Sequence, residues 1–77
     1  SNMLLPENIH PVNSLYFNGS FVLHALKKTG EVSMLDLFTE TRKFRDMQMP
    51  LFVLSLDWLF LANLVYFNDR GNVVPCF

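Results

Sequence analysis

The chain is predicted to be mainly α with a small β-hairpin, a winged helix-turn-helix-like three-helix domain. Three observations predict it: two capped helical patterns in the first half, a nearly uncharged helical run beginning at Pro50, and a final pair of short apolar segments around Asn68-Asp69-Arg70-Gly71. The resulting order of helix, short strand, helix, helix, strand and wing strand is that of a winged helix.

Residues 14–77 are assigned to this domain, preceded by an arm over residues 3–13, with Ser1 and Asn2 read as a cloning scar ahead of Met3. In the arm, Pro6 and Pro11 work against a regular helix and push the residues before them toward extended conformations. Ser14 is the expected cap of the first helix, which runs to about Lys28 with Leu15, Gly19, Val22 and Leu26 on one stripe. Gly30 is the expected stop. A hairpin at Asn18-Gly19 is the competing reading, since that dipeptide between Leu15-Tyr16-Phe17 and Ser20-Phe21-Val22 suits a tight turn. The stripe continuing through Leu26 favours the helix, with Gly19 then allowing another helix to approach closely.

Glu31 and Val32 suit a short strand. Ser33 and Asp36 have the spacing of a capping box, and Val32 can pack on Leu37 as a staple. Leu35, Leu37 and Phe38 are expected on the buried side of this second helix, with Asp36, Glu40 and Lys43 outward. The third helix, from about Pro50 to Ala62, is apolar nearly all round, and Pro50 suits its first turn. Leu64–Phe67 and Asn72–Cys76 complete a hairpin, Pro75 marking its second strand as an edge.

Composition narrows the function classes. Hydrophobic residues form 51% of the 77, eight of them Phe, more than a domain this small readily hides. Docking on a protein partner follows as the leading expectation, with Phe52, Leu56, Asp57, Trp58, Phe60, Tyr66 and Phe67 as candidate interface residues and self-association through helix three or the wing as a further outcome. A net charge of −1 gives no general attraction to nucleic acid. Helix three, where a winged helix reads DNA, has only Ser55 and Asp57 to offer a base edge or phosphate. Lys27, Lys28, Arg42, Lys43 and Arg70 leave weak DNA binding as the alternative function.

Met49 to Phe67 is just long enough to span a bilayer, but Asp57 near its centre and Asn63 oppose insertion, and no membrane span is expected. Asp57 is expected at an exposed rim or against an interface partner. A single cysteine, Cys76, excludes an intrachain disulfide and a cysteine zinc site. No metal, cofactor or catalytic set is expected, since His10, His24, Cys76 and the carboxylates have no spacing that unites them. The N-terminal residues lack a basic-then-apolar secretory pattern, and a cytoplasmic setting is expected.

The stretch Met3-Leu4-Leu5-Pro6-Glu7-Asn8-Ile9-His10-Pro11, then Leu56-Asp57-Trp58-Leu59 and the Gly71-Asn72 turn, resembles the small middle components of bacterial ABC-type three-component conflict systems. The resemblance covers nearly all of the chain after Met3. It implies a winged helix adaptor working beside an ABC-type ATPase and an effector-like subunit, with no catalytic residues to carry over.

Overall fold

In a computed structural model of the chain, residues 11–77 are described, with side-chain surroundings from residue 15 onward. Three helices, α1 (Pro11–Thr29), α2 (Met34–Arg42) and α3 (Met49–Leu61), precede a hairpin of β1 (Val65–Phe67) and β2 (Val73–Pro75). The arrangement is consistent with a winged helix-like domain.

α1 already includes Pro11, four residues before the first helical residue that a cap at Ser14 implies. Pro11, Val12 and Asn13, assigned above to the arm, are helical, and Ser14 lies inside the helix rather than capping it. Proline is tolerated in a first helical turn because the amide hydrogen it lacks would have no intrahelical partner there. The rest of the arm, residues 3–10 with Pro6, falls outside the described residues, as do Ser1 and Asn2. The Asn18-Gly19 hairpin does not form; α1 is continuous through both residues. Gly30, at φ 70°, donates to Leu26 O at 2.7 Å and closes the helix in the left-handed conformation.

Ser33 caps α2 as its spacing predicts: its Oγ accepts the Asp36 amide at 3.1 Å, and its carbonyl takes the first helical bond, from Leu37. Val32 is half-buried against the core that contains Leu37. Leu37 is fully buried and Phe38 partly so, but Leu35 is 66% exposed. That corrects the expected buried side. Positions two apart on a helix are about 200° apart around its axis, so Leu35 and Leu37 cannot both face inward. Asp36 and Lys43 are exposed as expected, and Glu40 is half-buried.

α3 takes its proline in the first turn. It ends at Ala62 and Asn63, where Asn63 (φ 62°) donates to Phe60 O and Leu64 donates to Leu59 O, the paired bonds of a Schellman ending. The chain then turns directly into the hairpin, whose register pairs Val65 with Pro75, Tyr66 with Val74 and Phe67 with Val73. Its tip is a three-residue loop. Asn68 N–H donates to Asn72 O, Gly71 (φ 75°) donates back to Asn68 O, and Asn68 Oδ1 accepts the amides of Arg70 and Asn72.

On its other side β2 meets the α1–α2 connection. Val32 and Val73 exchange both backbone bonds, at 3.1 and 2.8 Å, which realises the strand expected at Glu31-Val32 as one antiparallel bridge. Because Val73 turns its polar groups toward Val32, the nitrogen of Pro75 two residues on faces the same way, past the end of that bridge. The missing amide hydrogen therefore breaks no ladder bond, and Pro75 does sit where β2 becomes an edge.

The core gathers Val22, Ala25 and Leu26 from α1, Leu37 from α2, Met47 from the α2–α3 connection, Phe52, Leu56 and Leu59 from α3, and Val65 and Val73 from the hairpin. α1 lies along α3 and against α2, while β2 reaches α1 and β1 reaches α3. Burying each large side chain stabilises the fold by about 1.5–3 kcal/mol before entropy is counted. All three helices and the wing contribute to that single interior.

Candidate functional site

Helical geometry sorts the uniformly apolar residues of α3 into an inner and an outer side. Phe52, Ser55, Leu56 and Leu59 face α1 and are buried. On the opposite side, Pro50, Leu54, Asp57 and Leu61 fall on one line at spacings of four, three and four, and all are exposed. Leu54 is 54% exposed and Leu61 80%, high values for leucines in the middle and last turn of a helix.

Two aromatic flanks border this line. On one, Phe60 meets Phe67 of β1 with ring centroids 5.8 Å apart, both rings exposed, so the wing extends the apolar surface of the helix. On the other, Trp58 is half-buried and stands edge-on to exposed Tyr16 of α1 at 5.1 Å. Beside that pair runs an open groove of about 490 Å³ walled mostly by apolar side chains, including Phe17, Leu23 and Leu64. Asp57 is the one charged residue of α3, and it has no ion partner among the described residues.

The seven expected interface residues thus divide. Phe52 is 0% and Leu56 2% exposed, so both belong to the core and not to a docking surface. Asp57 is exposed in the middle of the outer line, and Trp58, Phe60 and Phe67 flank that line. Tyr66 is exposed but, being one residue from Phe67 along a strand, projects from the other face of the hairpin. Leu54, Leu61 and Tyr16 belong to the surface without having been anticipated. Asp57 itself is the signal that finds the first two, because a lone carboxylate on an apolar helix marks its wet side, and positions three or four away share that side.

Most of the basic residues have partners among the described residues. Of the six, Arg42 pairs with Asp46 at 2.7 Å, Lys43 with Glu40 at 2.8 Å and Arg70 with Glu31 at 2.7 Å. Arg45 lies over the Phe17 and Phe21 rings and donates to Asn18 Oδ1 at 3.3 Å, and Lys28 lies over Phe44. Glu31 is held most firmly. It accepts side-chain bonds from Asn72, Arg70 and Asn68, which bring its carboxyl down from 4.5 to about 2, and so it fastens the wing tip to the α1–α2 connection.

His24 stands edge-on to Phe44 at 4.6 Å, and Cys76 is exposed beyond β2. Among the described residues no three His, Cys, Asp or Glu side chains come together to hold a metal ion, and no helix is long and apolar enough to cross a membrane.

No curated protein and no solved structure matches the chain. A family model does: that of the ABC-three component (ABC-3C) system Middle Component 6, which matches residues 5–76. The match runs from the segment before α1 through all three helices and the hairpin to Cys76, and the chain therefore belongs to the ABC-three component system Middle Component 6 family.

Proposed function

We propose that this chain is a non-catalytic adaptor subunit that docks another protein subunit of its three-component system in the cytoplasm. The outer line of α3, with its wing and α1 flanks, is the docking surface. The observation that carries this reading is the exposure of Leu54 and Leu61 beside Phe60 and Phe67, on a helix whose inner side is fully used by the core. A continuous apolar surface of this kind is unfavourable in water and is characteristic of a protein contact. Membership in a family of system components supports a protein partner, and an ABC-type ATPase subunit or an effector-like subunit is the natural candidate.

The test is co-expression of the tagged chain with the other components of its system. Leu54→Glu together with Leu61→Glu should abolish a complex that the wild type forms, while leaving the circular dichroism spectrum unchanged. A complex indifferent to both substitutions would refute docking through this face. Weak DNA binding is the second reading, and it has less support, because α3 carries neither Lys nor Arg and three of the six cations are engaged by carboxylates. Duplex DNA binding that weakens steeply with added salt would favour it instead.

A further inference from the structure

The outer line of α3 has a chemical asymmetry that selects among occupants. Leu54, Phe60 and Leu61 surround Asp57, and neither α3 nor the two strands contain a Lys or Arg. Arg70, at the wing tip, is already held by Glu31. Two copies of the chain meeting face to face across a two-fold axis would bring two carboxylates into one apolar contact with no cation to offset them. Setting like charges opposite one another in that way is unfavourable. A copy docking head-to-tail, through Lys27 and Lys28 of α1, would leave the α3 of the last copy uncovered unless the contacts closed into a ring.

We propose that this face takes an amphipathic helix of a different protein, one whose apolar side carries a single Lys or Arg positioned to meet Asp57. The inference rests on the docking reading above and adds the chemistry of the partner. The shape of the surface fits a helix: Leu54 to Leu61 spans about 10 Å along α3 at ~1.5 Å per residue, so two or three turns of a partner cover it. The line of Leu54, Asp57 and Leu61 between the Phe60–Phe67 flank and the Trp58–Tyr16 flank is itself a helix ridge, the kind of surface that packs into the groove of a second helix. The partner's cation neutralises Asp57 as it leaves water, which makes the contact heterotypic and gives it a fixed direction.

The test uses two synthetic amphipathic helices of about five turns, identical but for one Lys or one Glu in the middle of the apolar side. Binding is followed by the fluorescence of Trp58, the single tryptophan of the chain and a flank of the face. The wild type should bind the Lys peptide about fivefold more tightly than the Glu peptide, and Asp57→Lys should reverse that order, since attraction and repulsion each shift the balance modestly at a partly wet site. Leu61→Glu should remove both. Equal affinities that Leu61→Glu still abolishes would overturn the charge match while leaving the docking face intact. Binding of neither peptide, or binding indifferent to Leu61→Glu, would overturn the docking face as well. A concentration-dependent dimer in sedimentation that Leu61→Glu dissolves would make the second copy the occupant and overturn the heterotypic assignment.

Discussion

Gly19 of α1 lies against Leu59 of α3 so closely that a β-carbon at position 19 would stand 3.4 Å from Leu59 Cδ2 and 3.7 Å from its Cγ. That leaves room for one methyl group at van der Waals distance and for nothing larger. Glycine within a helix also costs about 1 kcal/mol relative to alanine. Gly19→Ala should therefore stabilise the domain by about 0.5–1 kcal/mol, and Gly19→Leu should destabilise it by roughly 2 kcal/mol or more through overpacking. Thermal melts of the two variants check the pair, and a loss of stability with alanine would show that α1 and α3 cannot yield even at that contact.

The two sides of α3 should answer differently to truncation. Phe52 is enclosed and meets Phe38 at 5.2 Å, so Phe52→Ala should cost about 3–5 kcal/mol, much of the stability of a small domain. Leu61→Ser, on the exposed line, should stay within about 0.5 kcal/mol. Urea denaturation of each variant measures both values. A large loss with Leu61→Ser would mean that the outer leucines support the fold of the chain itself.

Ser55 is fully buried on the inner side of α3, and its hydroxyl has no hydrogen-bond partner among the described residues. An enclosed polar group without a partner is unfavourable, and alanine is the better helix former. Ser55→Ala should raise stability by about 1 kcal/mol, read as a shift of the denaturation midpoint. A decrease would reveal that the hydroxyl has a partner in solution.

Much of the local detail was legible because it depends on neighbours in the chain. Ser33, Gly30, Pro50 and the hairpin around Gly71 each act within a few residues, and all behave as their types dictate. The start of α1 misled because Pro11 and Ser14 are both start signals, one for the first helical turn and one for a cap, and only one can operate. For α3 the difficulty was of another kind. A helix apolar on every side has no preferred inward direction of its own; the direction was set by where α1 came to lie, which made Phe52 and Leu56 core and left Leu54 and Leu61 outside.

Acid should loosen the wing tip through Glu31. Its carboxyl titrates at about 2 in the folded chain against an ordinary 4.5, because the side chains of Asn72, Arg70 and Asn68 bind the charged form. A depressed folded value means that the stabilisation is complete above pH 4.5 and is lost as the pH falls toward 2. The wild type should melt at a higher temperature than Glu31→Gln at neutral pH, and the gap should close between pH 4.5 and 2. A gap that stays constant over that range would show that the wing does not depend on this charge.

The bridge between Val32 and Val73 joins positions far apart in the chain, and Val73 is itself fully buried in the interior. α1 and α2 alone cannot seal this interior, so Val22, Leu26 and Leu37 stay wet until the hairpin docks. Helices and hairpin should consequently be gained and lost together, as one cooperative unit rather than helix by helix.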